Sequence, residues 1–345
     1  MANFFFLLSG EHETLPTSEL KAILEAEGYT FKILEKLDQV LRVKAVSNCV
    51  TVLKRRAALT RLCSLELFNC ESDMSAILRA MGSTDFRKII ESGESFAVRV
   101  KRVKDYSPKL DSMTLERKLG KVILNKTVNA SVKLKNPDKT LTGILTKNKF
   151  IFGLKLAEIQ PKSFVERRPK HKPFFHPSAM PAKLARCMVN LAKPKAGELV
   201  LDPFCGTGSM LIEAALIGCR VIGLDVQRRM VKGTSKNLAY FNLEPEGIIV
   251  ADAKKLPITK ADCIVTDPPY GISATTLKRT TMQIVEETLM AVQDILDKGK
   301  QICIAAPKTL GIGRLSTTLG YKQLESHFVY VHRSLTREIA ILEKM

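Results

Sequence analysis

The chain has 345 residues, of which 45% are hydrophobic and 26% charged. That is the balance of a soluble folded protein with two or three domains, and it excludes a disordered chain, a collagen-like repeat and a disulfide-dense secreted scaffold. Lys and Arg number 54 against 35 Asp and Glu, a formal charge of +19. Residues 101–200 hold 23 basic and 7 acidic side chains (+16), whereas residues 1–100 hold 13 of each and residues 201–345 hold 18 and 15. An excess gathered in one stretch is the footprint expected of a polyphosphate partner, whereas a lysine-rich solvated surface would be spread evenly.

The eight cysteines are scattered, with no CxxC pair and no histidine at metal-ligand spacing, so buried thiols in a reducing cytoplasm are expected. The apolar run Phe4–Leu8 has no basic residue before it and is too short to cross a bilayer, which argues for a first buried strand and against a secreted or membrane protein. Pro16-Thr17 opens an amphipathic helix with Leu20, Ile23 and Leu24 on one face and Gly28 as its stop. Strands follow around Phe31–Ile33 and Val40–Val43, then a helix at Cys49–Arg56, the alternating run Leu62-Leu65-Leu67, and a helix from Asp73 to Met81. The order β-α-β-β-α-β over residues 1–90 is that of a ferredoxin-like sandwich.

A second α/β unit covers residues 91–157. Phe96, Val98 and Val100 alternate as a strand, and Leu115, Leu119, Val122 and Ile123 share one helix face. Strand-like runs at Ala130–Lys135, Leu141–Leu145 and Phe150–Leu156 are separated by Asn136-Pro137-Asp138 and Lys147-Asn148-Lys149. Its basic solvent-facing positions mark it as an RNA-contacting unit. Residues 158–176 form a proline-stiffened connector with the cluster Arg167-Arg168-Pro169-Lys170-His171-Lys172, either a spacer or a direct phosphate contact.

From residue 177 to the end, strands at Leu199–Leu201, Arg220–Leu224, Ile248–Val250, Cys263–Thr266 and Gln301–Ala305 alternate with helices such as Ser209–Leu216 and Met230–Ala239. This describes a doubly wound α/β sheet, whose ligands lie beyond the carboxyl ends of the strands. The first strand ends in Asp202-Pro203-Phe204-Cys205-Gly206-Thr207-Gly208-Ser209. Glycines let backbone approach a ligand, but the loop is neither a P-loop nor G-x-G-x-x-G, and an acid at the strand end suits an ammonium group better than a pyrophosphate. Asp225 closes the next strand, placed to accept from ribose hydroxyls, and Asp252 with Ala253 closes the third, placed to accept from an adenine amine. Each acid alone reads as a helix cap. Together they outline a pocket for a nucleoside joined to an amino acid, which fits S-adenosylmethionine.

Thr266-Asp267-Pro268-Pro269-Tyr270-Gly271 follows the fourth strand. Prolines donate no backbone hydrogen bond, so the Asp267 carboxylate and the Pro268 carbonyl make a rim of acceptors only. Such a rim suits an exocyclic amine on an aromatic base. Two acceptors draw the nitrogen out of conjugation as it attacks, one takes the departing proton, and Tyr270 offers a face for the base. The motif itself admits adenine N6, cytosine N4 or guanine N2 as target.

These motifs resemble those of class I S-adenosylmethionine-dependent methyltransferases, in residues 199–225, 248–252 and 266–271, with His176-Pro177-Ser178 similar to the N-terminal cofactor motif. The middle unit resembles a THUMP domain and residues 1–90 its ferredoxin-like companion. Over the whole chain, with DPFCGTGSMLIEAAL and TDPPYGISA, the sequence is similar to the archaeal tRNA (guanine(10)-N2)-dimethyltransferases. The resemblance implies a multidomain α/β fold ending in a Rossmann-like class I methyltransferase sheet, and tRNA as partner through its acceptor end. It implies N2 methylation of guanosine 10, with Asp202, Cys205, Gly206, Thr207 and Gly208 around the methionine part of the cofactor, Asp225 at its ribose and Asp252-Ala253 near its adenine. Asp267 would border the cofactor and accept the amine proton, Pro268 would hold the amine and Tyr270 would stack. No metal ligand is called for. Eukaryotic relatives use a small zinc-binding activator protein. Other RNA bases, ribosomal RNA guanine and a catalytically silent RNA-binding protein stay open as alternatives. The last tends to lose the motif acid or the glycines, and all of these are present here.

Overall fold

The computed structural model describes residues 1–159, 162–269 and 279–345. In chain order the N-terminal elements are β1 (Ala2–Leu8), α1 (Leu15–Ala26), β2 (Lys32–Leu37), β3 (Val40–Ala45), α2 (Cys49–Arg56), β4 (Thr60–Glu71) and α3 (Met74–Ser83). They continue with β5 (Ser95–Arg102), α4 (Ser112–Lys126), β6 (Ser131–Val132), β7 (Lys139–Thr146) and β8 (Lys149–Glu158). Phe4, Phe5 and Phe6 are fully buried, as a first core strand requires. The turns fall at residues able to adopt positive φ: Gln39 (+51°) joins β2 to β3 and Lys147 (+47°) joins β7 to β8.

All eight strands form one sheet in the order β2-β3-β1-β4-β8-β7-β5-β6. The first four give the antiparallel ferredoxin-like order, and β4 pairs with β8 from Leu62↔Glu158 to Glu71↔Lys149, so strands from both sides of residue 90 share this sheet. Helix α4 carries Leu115, Leu119 and Ile123 into a core with Phe96, Phe150 and Phe152, while half-exposed Val122 sits at its edge. The run expected as a strand from Ala130 to Lys135 pairs only at Ser131–Val132, because it lies at the sheet edge with every residue from 131 to 136 exposed.

The compact unit containing this sheet comprises residues 1–11, 29–54 and 60–159; residues 12–28, 55–59 and 160–345 form the second. Helix α1 therefore belongs with the C-terminal sheet, and the reason is chemical. Glu19, on the otherwise apolar face of α1, is fully buried and accepts from the Ala58 and Leu59 N–H groups at 3.0 and 2.8 Å and from Asn190 Nδ2 at 2.9 Å. Burial raises its carboxyl pKa despite these donors.

The second unit continues with α5 (Lys162–Glu166), α6 (Ala182–Leu191), β9 (Leu199–Asp202), α7 (Ser209–Ala215), β10 (Arg220–Asp225), α8 (Arg228–Tyr240), β11 (Gly247–Val250) and β12 (Cys263–Thr266). It ends with α9 (Thr281–Gln293), β13 (Gln301–Pro307), α10 (Ile312–Thr318), β14 (Tyr321–His332) and β15 (Leu335–Lys344). The sheet order is β11-β10-β9-β12-β13-β15-β14, parallel from β11 to β13, with β15 antiparallel to both neighbours. The reversal on either side of β9 is a topological switch point, where such sheets open a crevice beyond their strand ends. Val285, Leu289 and Val292 of α9 pack with Ile302 and Ile304 of β13, Ile312 of α10 and Tyr321 of β14. The eight cysteines are unpaired.

Candidate active site

Asp202 ends β9 at the switch point and is 2% exposed. Thr266 Oγ1 donates to its Oδ1 at 2.7 Å, and the Phe204 N–H reaches the same oxygen at 3.1 Å. Burial raises its pKa to about 7 against these two donors, and the carboxylates of Asp267 and Asp225 push the same way. A carboxyl poised near neutrality is the kind of group that an arriving cation ionises.

The loop after Asp202 bends through two glycines in the left-handed region, Gly206 (φ +53°) and Gly208 (φ +79°). Gly208 caps α7, and a Cβ there would lie 2.9 Å from Thr234 Cγ2. The Thr234 hydroxyl donates to the Gly206 carbonyl at 2.7 Å, and Asn237 Nδ2 donates to the Thr207 carbonyl at 2.9 Å, so α8 holds the loop in place. Cys205, just before the first glycine, and Thr207, between the two, are buried. The Cys205 N–H donates to the Leu224 carbonyl at 2.8 Å, which ties the loop to β10.

Asp225 ends β10 and takes one backbone N–H on each oxygen: Gln227 on Oδ1 at 2.8 Å and Gly206 on Oδ2 at 3.1 Å. A carboxylate has about four lone-pair sites, so both oxygens keep capacity for a ligand hydroxyl. Asp252 follows β11 but is engaged differently. Its Oδ2 accepts from Arg279 Nη2 at 2.9 Å and its Oδ1 from the Lys254 N–H at 3.1 Å, while Arg279 and Lys254 both bind Glu287. Ala253 beside it is 2% exposed.

Asp267 follows β12, next to Thr266 and therefore next to Asp202. Its Oδ2 lies 3.3 Å from Arg337 Nη2, and Arg337 also reaches Met180 Sδ at 3.5 Å. Pro268 is buried beside it; Tyr270 and Gly271 lie outside the described residues. Arg337 has no local signature in the sequence. It stands 70 positions from Asp267 and is brought there by the antiparallel β13/β15 pairing, in which it faces Pro307.

Two basic residues of the connector, Arg167 and Lys172, turn inward, while Arg168, Lys170 and His171 stay exposed. Arg167 Nε donates to Glu213 Oε1 at 2.6 Å, and buried Lys172 donates to Ser209 Oγ at 2.9 Å, its pKa pulled down to about 8 by burial. The Phe174 backbone exchanges two hydrogen bonds with Asn237, both 2.9 Å, and its ring fills the space over Gly233. Residues 167–174 thus strap the start of α7 and the flank of α8, and the chain then reaches His176, whose ring meets Ser178 Oγ at 2.7 Å. The sequence presents this stretch as a spacer or a phosphate contact, with no local sign of the strap.

A glycine-bent loop between two strand-end acids, with a third acid after the fourth strand of this sheet order, defines a class I methyltransferase. In agreement, a family model described as RMKL-like, methyltransferase domain, matches residues 169–337. One described as DNA methylase matches residues 78–236, stopping short of Asp267. The solved structure of TrmN from Thermus thermophilus superposes with a TM-score of 0.57 at 18% identity, covering 99% of this chain and 100% of that one. Among curated proteins, the tRNA (guanine(10)-N2)-dimethyltransferase of Methanothermobacter thermautotrophicus is 38% identical over 98% of both chains. That of Methanocaldococcus jannaschii is 35% identical over 99% of both. The chain belongs to the tRNA (guanine(10)-N2)-dimethyltransferase family.

Proposed function

We propose that this protein transfers methyl groups from S-adenosylmethionine to the exocyclic N2 of guanosine 10 in tRNA, giving N2-methyl- and then N2,N2-dimethylguanosine. The observation that carries this reading is the full-length family membership, joined to the placement of Asp267 beside Asp202 at the strand ends.

The residues present fit the cofactor. Near-neutral Asp202 suits a cationic methionine part, the left-handed glycines at 206 and 208 keep side chains out of its way, and Asp225 has acceptor capacity for a ribose. When bound, the cofactor supplies a methyl group on a positive sulfur, an electrophile with a good leaving group. The protein's part is positioning. The Asp267 carboxylate, tethered through Oδ2 to Arg337, accepts one hydrogen of the guanine amine and takes the proton as nitrogen attacks. Pro268 offers its carbonyl to the second hydrogen, and Tyr270 stacks on the base. Asp252, already bound to Arg279, borders the adenine end with Ala253.

The RNA is held in part by residues 91–157. Arg117, Lys118 and Lys121 on α4 and Lys133 and Lys135 beyond β6 are exposed, and neutralising phosphates with such a group makes binding steeply salt-dependent. The reading puts the activity in the cytoplasm, a reducing compartment compatible with eight thiols. A small zinc-binding activator, as used by eukaryotic relatives, is tested by assaying the purified chain with and without one.

The direct experiment incubates purified protein with labelled cofactor and unmodified tRNA and identifies the labelled nucleoside. N2-methylated guanosine at position 10 is the expected product. Label on adenine N6, or none, would overturn the reading.

A further inference from the structure

The β14–β15 hairpin exposes a patch whose composition asks for an explanation. β14 is the edge strand of the C-terminal sheet, and edge strands of soluble proteins are ordinarily blunted by charge or kept short. This one runs for 12 residues, is bulged near 323–325 and 330–332 and meets His12 Nε2 at the Phe328 carbonyl (2.9 Å), yet it still carries Phe328 at 48%, Tyr330 at 72% and Val331 at 41% exposure. Phe328 and Tyr330 alternate along the strand and face the same side, opposite Glu338 and Thr336 of β15.

The patch is apolar and cationic together. Lys308, in the turn after β13, holds its Nζ 5.1 Å from the centre of the Phe328 ring. The run from Ser326 to Ser334 contains Arg333 and two histidines, and Glu338, across from Phe328, is buried. Exposed rings flanked by cations are what single-stranded nucleic acid uses, the rings for its bases and the cations for its phosphates.

Location narrows the partner further. The hairpin tip lies at the carboxyl end of β13, the same end of the sheet as the candidate active site. Val329, between the two aromatics, is the cross-strand partner of Arg337, which reaches Asp267. β14 lies three strand positions from β12, about 15 Å across the sheet, and the two rings face the side opposite Arg337.

We infer that Phe328 and Tyr330, with Lys308 and Arg333, form a second RNA-binding surface, on the catalytic unit itself, which stacks an unpaired base of the substrate away from the target nucleotide. This rests on the reading of the substrate as RNA. It gives the catalytic unit its own hold on the substrate RNA.

The test measures tRNA affinity, KM for tRNA and KM for the cofactor in Phe328→Ala/Tyr330→Ala, Tyr330→Ala, Tyr330→Phe and Lys308→Glu/Arg333→Glu. Loss of a stacked base weakens binding by about tenfold or more. The double alanine variant is therefore expected to raise Kd and KM for tRNA by at least that factor with cofactor KM unchanged. Tyr330→Phe should behave as wild type, and Lys308→Glu/Arg333→Glu should weaken binding with a shallower salt dependence. Tyr330→Ala alone, at the most exposed position, provides the readout if the double variant does not fold. Unchanged tRNA affinity in either alanine variant overturns the proposal. So does a wild-type dimer that the alanine variants dissolve without change in tRNA affinity, since the patch would then be a contact between copies. Wild-type activity on tRNA is measured alongside; its absence would instead count against the proposed function.

Discussion

The Asp202→Asn substitution separates two consequences of one buried acid. In the free protein burial raises the Asp202 pKa to about 7, whereas an unfolded chain has it near 3.9. Because the folded value is the higher, this group's stabilising contribution is complete below about pH 4 and disappears as pH rises through 7. At pH 8 the ionised form costs about 4 kcal/mol, an upper figure for a fully buried group. Asparagine keeps the shape and an oxygen for Thr266 and Phe204, so the free variant should be the more stable protein at pH 8 and little changed at pH 4. Cofactor binding runs the other way. A cationic ligand prefers the ionised carboxylate, whose population rises from about 9% at pH 6 to about 91% at pH 8 for a pKa of 7, roughly a tenfold gain in affinity. Calorimetric titration at both pH values, with the variant correcting for the ligand's own amine, reads this directly. Equal pH dependence in wild type and variant, or a variant no more stable at pH 8, would refute the assignment of a near-neutral Asp202.

Arg337→Met should lower kcat by about 10- to 100-fold with cofactor KM nearly unchanged, because it releases the Asp267 carboxylate from its tether; steady-state kinetics decide, and Arg337→Lys should recover part of the loss. Glu19→Ala strands two backbone N–H groups and Asn190 in the interior. At about 1–3 kcal/mol per orphaned group the loss over the three is about 3–9 kcal/mol, read as a fall of about 10 °C or more in the melting temperature of the C-terminal unit. Gly208→Ala places a Cβ against Thr234 at a φ of +79° and should weaken cofactor binding about tenfold in an equilibrium titration.

The parallel strands β9, β10, β11 and β12 were legible because each is a short apolar run closed by an acid or by the Asp-Pro-Pro turn, and strand ends in such sheets are where ligands sit. Helix α1 was legible as an amphipathic helix, but its partner was not. The one hint was a glutamate on the apolar face, and only the fold brings Asn190 to it. The β14–β15 hairpin is not legible in the sequence because the alternation of β14, an edge strand with exposed apolar residues, is broken by bulges near residues 323–325 and 330–332. Arg337 was lost with it. Arg167 and Lys172 read as part of a spacer or a phosphate contact because nothing in their own stretch announces Glu213 and Ser209.

The account turns on Asp267 as the acceptor of the amine proton, and Asp267→Ala tests that most directly. With cofactor and unmodified tRNA both saturating, the wild type should convert guanosine 10 to its N2-methylated forms. The variant should bind cofactor with nearly wild-type affinity yet form almost no methylated guanosine. Turnover by that variant at the wild-type rate would contradict the central claim.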